Sequence, residues 1–70
     1  MIDIYLREEL SAREWQVADA VARGLSNRQI GAELGISAET VKRHLATIYS
    51  KLALPGRVAL AIHVVQSRAA

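Results

Sequence analysis

Gly24-Leu25-Ser26-Asn27-Arg28-Gln29-Ile30-Gly31-Ala32-Glu33-Leu34-Gly35-Ile36-Ser37-Ala38-Glu39-Thr40-Val41-Lys42 encodes two helix starts in close succession. It contains two serines, Ser26 and Ser37, each preceded by an apolar residue and followed by another four places on (Leu25 and Ile30, then Ile36 and Val41). A serine in that setting reads as an N-cap, its hydroxyl accepting from an orphan amide of the first helical turn. The flanking apolar pair can close as a hydrophobic staple, and Gln29 completes a capping box around Ser26. The serines are eleven residues apart with Gly35 between them, so the first of the two helices must be short. The same phrase stands once more upstream, as Leu10-Ser11-Ala12-Arg13-Glu14-Trp15. A short helix, a glycine-containing turn and a longer basic helix give the outline of a helix-turn-helix.

The pattern predicts an all-α chain of four helices and no strands. The first spans about 12–23, with Val17, Ala18, Val21 and Ala22 as its buried stripe and Gly24 as a left-handed stop. The second spans 27–34, with Ile30 and Leu34 inward. Gly31 inside it costs about 1 kcal/mol against alanine, which points to the close approach of another backbone. The third spans 38–52, with Val41, Leu45, Ile48 and Leu52 as one apolar seam. The opposite side is read as Lys42, Arg43, Ala46, Thr47 and Ser50, basic at one end, otherwise small, and free of acids. Pro55 breaks the chain before a fourth helix over 57–67. That helix carries two apolar stripes: Leu60, Ala61 and Val64, and beside it Val58, Ile62 and Val65. A domain this small can bury one of them, and the other is expected to meet a second chain. Residues 1–9 read as a lead-in or linker remnant, and 10–68 as the domain.

Size and composition limit the rest. Seventy residues with 51% apolar content make one small globular core. There is no cysteine, hence no disulfide or thiolate metal site. No apolar run is long enough for a bilayer, so no membrane partner is expected. Charge is lopsided: residues 1–39 hold all seven acids against four arginines, while residues 40–70 hold five basic residues and no acid. A one-sided basic half suits a polyanion, although charge alone does not separate that from an ordinary solvated face. No catalytic or metal site is expected and no cofactor: the two histidines, His44 and His63, fall on different helices without metal-ligand spacing. There is no glycine-rich phosphate loop and no evident Ser-His-Asp set.

These residues resemble the LuxR/GerE-type helix-turn-helix domain of bacterial transcription regulators, the output module of response regulators and quorum-sensing regulators. The motif residues are Leu10-Ser11-Ala12-Arg13-Glu14, Gly24 to Gly31, Leu34-Gly35-Ile36-Ser37, Thr40-Val41-Lys42, Ile48, Lys51-Leu52 and Arg57, in register without a gap over residues 10 to about 66. The resemblance implies that the third helix reads DNA and the fourth pairs two copies. Base contacts would fall to Lys42, Arg43, Ala46 and Thr47, with Arg or Lys bonding guanine and alanine touching a thymine methyl. Asn27, Arg28, Thr40, His44, Lys51 and Arg57 would meet phosphates. Val58, Ile62 and Val65 would form the dimer interface. Implied partners are double-stranded DNA, a second copy, and RNA polymerase or an upstream regulatory domain, in the bacterial cytoplasm and on the nucleoid when bound.

The bland readings stand beside these. Lys51 could be solvated or paired with Glu14, Arg57 could be structural at the start of its helix, and His44 could sit at the edge of the core. The acids of the first helix read as caps and surface charge. Four positions depart from the family pattern: Ala53 replaces a frequent glycine, Pro55-Gly56 a frequent polar cap, Gly31 the usual alanine, and Trp15 a site that is often charged. Trp15 fits a staple onto Leu10, or else an exposed aromatic for a partner. A sigma-factor region 4-like module is the nearest rival, but such segments end soon after the recognition helix. A helical protein-interaction module is the other.

Overall fold

A computed structural model describes residues 10–69. Within that range it holds four helices and no strand: α1 (Ala12–Ala22), α2 (Asn27–Leu34), α3 (Ala38–Leu52) and α4 (Arg57–Ala69). The expected lead-in over residues 1–9 lies outside the described residues. Two boundaries differ from the sequence expectation. Arg23 is the cap of α1 and not its last turn, because the left-handed Gly24 (φ +85°) follows at once. Helix α4 runs two residues further than 67, since no Gly or Pro follows Ser67 to stop it.

Each of the three serines caps its helix as the pattern requires. Ser11 Oγ accepts from the Glu14 amide at 3.1 Å, Ser26 Oγ from Gln29 at 3.1 Å, and Ser37 Oγ from Thr40 at 3.0 Å. Glu14 and Gln29 return the bond to the Ser11 and Ser26 amides, closing both capping boxes. Trp15 is half-buried and packs on the cluster to which Leu10 belongs, the placement a staple needs.

Helix α1 lies across α3 and α4, and α2 packs chiefly on α3. The core they share contains Val17, Ala18 and Val21 of α1, Ile30 of α2, Val41, Leu45 and Ile48 of α3, and Leu60 and Val64 of α4. Burial of each large aliphatic among these stabilises the fold by about 1.5–3 kcal/mol. Leu34 and Leu52 pack at its margin, half-buried. Ala20 and Leu10 are also buried. The sequence reading had placed neither in the core.

The turn between α2 and α3 is tight. Gly35 is left-handed (φ +72°), and the Ile36 amide donates to the Gly31 carbonyl at 2.9 Å. A Cβ on Gly31 would stand 2.5 Å from the Ile36 carbonyl oxygen. The glycine inside α2 therefore marks a backbone-to-backbone approach, as its cost in a helix suggested.

Helix α3 ends in a Schellman motif, with the Leu54 amide on the Tyr49 carbonyl (3.0 Å) and the Ala53 amide on Ser50 (3.4 Å). The left-handed position in that motif is Ala53, at φ 54° and ψ 45°. An L residue with a Cβ is strained there by about 1–2 kcal/mol. Glycine would remove the strain but loosen the unfolded chain by about 0.4–1 kcal/mol. Ala53→Gly should therefore raise stability by about 0.5–1 kcal/mol in urea denaturation, and a loss of stability would contradict the strain.

Candidate nucleic-acid interface

Helix α3 divides cleanly between two environments. Val41, Leu45 and Ile48 are at most 4% exposed, whereas Lys42, Arg43, Ala46 and Thr47 are all exposed on the other side. The residues proposed to read bases thus share one solvent-facing surface. The Thr47 hydroxyl donates back to the Arg43 carbonyl at 3.2 Å, so its methyl group and a lone pair are what it offers outward.

That surface holds an acid the sequence reading overlooked. Glu39 lies three residues before Lys42 and four before Arg43, which on a helix is the same side one turn earlier. It is exposed. Helix α3 begins at Ala38, so its first turn adds Glu39 to a face expected to be free of acids. An acid in the first turn suits the α3 dipole. Toward a duplex it would repel phosphate, or accept from a cytosine amine.

The residues expected at phosphates fall into two groups. Thr40 and His44 are half-buried on α3, and the Thr40 hydroxyl is bonded to that of Ser37 at 2.9 Å. Arg28 is exposed in the first turn of α2 and Asn27 beside it is half-buried. The Ser26–Gln29 box leaves the Asn27 and Arg28 amides for solvent or an anion.

Lys51, exposed, and Arg57, half-buried, are both bonded within the protein. Lys51 Nζ meets Glu14 Oε1 at 2.8 Å, and the same oxygen accepts from the Ser11 amide at 2.9 Å. Glu14 is only 7% exposed, so it is a buried tie between α1 and α3, and the pairing with Lys51 is the one of the two alternatives for that lysine that the structure holds. Arg57 Nη1 donates to Asn27 Oδ1 at 2.8 Å, and Nη2 to the Leu25 carbonyl. Arg57 is thus joined at the mouth of α2 to two residues that lie 30 and 32 positions earlier in the chain. Local spacing gave no signal for this contact, although Arg57 had been weighed as structural.

At the far end of the molecule, Arg23 pairs with Asp19 and Glu33, and Arg68 with Asp19, tying α1 to α2 and α4 at the surface. The Arg23 hydrogen bond lowers the Glu33 pKa. These pairs are exposed and contribute little to stability.

On α4, Leu60 and Val64 are buried, while Val58, Ile62 and Val65 are 75%, 52% and 54% exposed. A shallow apolar groove runs between Ala61, Ile62, Val65 and Gln66. Among the described residues the second stripe is therefore left uncovered.

Four helices around one core, with a tight α2–α3 turn and an exposed basic face on α3, agree with the helix-turn-helix that the sequence resemblance implied; α4 is part of that core through Leu60 and Val64, so all four helices build it. The family model described as bacterial regulatory proteins, luxR family, matches residues 8–64. The chain belongs to the luxR family of bacterial regulatory proteins. Membership, together with the helix-turn-helix, makes it a DNA-binding regulatory domain and sets aside the sigma-factor alternative. It is similar to the probable transcriptional regulatory protein SgaR of Hyphomicrobium methylovorum, with 48% identity over 58 residues, 81% of this chain and 28% of that protein. The chain spans a little over a quarter of that relative's length.

The Glu14 tie makes the luxR-family domain acid-sensitive. Hydrogen bonds from Lys51 and from the Ser11 amide hold the carboxyl below its usual value of 4.5, against the opposing pull of burial. A group depressed on folding stabilises the fold above its unfolded pKa and loses that contribution as pH falls through the folded one. Unfolding free energies measured from pH 7 to pH 3 should therefore fall less steeply for Glu14→Gln than for the wild type. Parallel curves would show that Glu14 is not the linked group.

Proposed function

We propose that this luxR-family domain binds double-stranded DNA sequence-specifically as a bacterial transcription regulator, with α3 lying in the major groove. The observation that carries this reading is the exposure of Lys42, Arg43, Ala46 and Thr47 together, opposite the buried seam of the same helix. Arg43 is the chief base reader, since a guanidinium can bond guanine O6 and N7 in a bidentate way. Lys42 adds a second donor, Ala46 an apolar contact for a thymine methyl, and the Thr47 methyl another. Asn27, Arg28, Thr40 and His44 hold the phosphate backbone and set the register. Lys51 and Arg57 stand behind them, tied to Glu14 and Asn27, and lend positive charge to the surface.

Two copies pair through Val58, Ile62 and Val65. Burial of that stripe removes three exposed aliphatic side chains from water. Each α3 then enters one of two successive major grooves of an approximately two-fold site, with half-sites about one turn (~10 bp) apart. A cytoplasmic location, on the nucleoid when bound, goes with this reading.

Selection of bound sites from a random duplex pool at two salt concentrations tests it. The expected outcome is an enriched, roughly palindromic motif, with affinity falling steeply with salt. Recovery of no motif and no salt-dependent binding would favour the protein-interaction module.

Two substitutions separate the roles. Arg43→Ala should flatten discrimination between the selected site and single-base variants, each of which costs the wild type about 1–3 kcal/mol. A uniform loss across all sequences would make Arg43 a phosphate contact. Ile62→Glu should abolish pairing on DNA while changing monomer stability by no more than about 0.5 kcal/mol. An unfolded monomer would place Ile62 in the core.

A further inference from the structure

We infer that Arg57 is a positioning residue for DNA binding: its guanidinium turns the Asn27 amide so that the NH2 group faces outward as a donor for a phosphate oxygen. The inference rests on the DNA-binding reading above. Its physical basis is that a guanidinium has only donors. Arg57 Nη1 reaches the Asn27 side chain at 2.8 Å, so the atom it meets must be the oxygen, Oδ1. The amide nitrogen is then forced to the opposite side. A second arm of the same guanidinium holds the Leu25 carbonyl, just before the Ser26 cap, which fixes the fork against the backbone. Both partners are half-buried.

The consequence is local and directional. Asn27 is the first residue of α2, where the backbone amides of Asn27 and Arg28 are left free by the Ser26–Gln29 box. With its oxygen engaged, the Asn27 side chain adds donors to that cluster and no outward acceptor. An asparagine free to flip would present oxygen to a phosphate half the time and repel it. Arg57 also opens α4, the helix proposed to carry the dimer contact. One side chain thus links the start of α4 to the phosphate-facing end of α2, across thirty residues of chain.

The chain contains a single asparagine, which gives the test a unique probe. The side-chain NH2 resonances of Asn27 would be followed by 15N NMR as the selected duplex is added. In the wild type they should shift on binding, together with the backbone amides of α3. In Arg57→Lys, which keeps the charge but not the fork, the NH2 shift should shrink. Affinity should fall about three- to tenfold with the salt slope unchanged, because a neutral contact releases no counterion. Asn27→Asp keeps an acceptor for Arg57 and removes the donor. Its thermal midpoint should hold, and its affinity should fall at least tenfold further than that of Gln29→Glu, which adds the same charge to the same turn. If the α3 amides shift while the Asn27 NH2 stays still, or if Asn27→Asp binds like Gln29→Glu, the positioning role is wrong and DNA binding stands. If nothing shifts, the DNA-binding reading itself fails.

Discussion

The Ile36 carbonyl oxygen stands 2.5 Å from where a side chain on Gly31 would begin. That contact between backbones sets how close α3 can come to α2, and the rest of the domain follows from it. With no Cβ in the way, the turn folds back on α2 through the Ile36–Gly31 hydrogen bond, and Ser37 starts α3 at once. Val41, Leu45 and Ile48 then turn toward Ile30 and the α1 stripe. Because those positions all fall on one side of α3, Lys42, Arg43, Ala46 and Thr47 are left outside. The exposed face is a by-product of how the core closes.

Two part-buried ties and one exposed pair join the helices around that turn. Glu14 joins the start of α1 to the end of α3 through Lys51. Arg57 joins the start of α4 to the start of α2. Arg23 joins the end of α1 to α2. The first two use basic residues that a charge map would assign wholly to DNA. Their charge still contributes to the surface potential, while one donor of Lys51 and two of Arg57 are engaged within the protein. A basic half of a chain is therefore not the same thing as a basic contact surface. Lys42, Arg43 and Arg28 are exposed cations, and Glu39 is an exposed acid one helical turn before the first two.

Much of this was legible in the sequence because the signals are local. The serine caps, the Gly24 and Gly35 stops and the apolar seam of α3 each depend on residues within one or two turns. The α2 and α3 boundaries accordingly match the expectation, and so does the division of α4 into a buried and an exposed stripe. What stayed hidden depends on tertiary geometry or on small side chains. Ala20 is buried because α1 is covered on more than one side, and an alanine carries too little hydropathy to announce it. The Glu14–Lys51 pair stands only as an alternative in the sequence, because two residues 37 apart give no local sign that they meet at 2.8 Å. The Arg57–Asn27 bond joins residues thirty apart. The strain at Ala53 showed only as a departure from a family glycine until its φ of 54° was seen.

The central claim is that the Lys42 side of α3 is open in the free domain and covered by a duplex in the complex. The chain has two lysines, Lys42 and Lys51, and their rates of reductive methylation with and without the selected duplex measure this directly. Lys42 should react freely in the free protein and become protected by the duplex, while Lys51, already held by Glu14, should change much less. A Lys42 that is slow to react in the free protein, or that reacts equally fast with the duplex bound, would contradict the account.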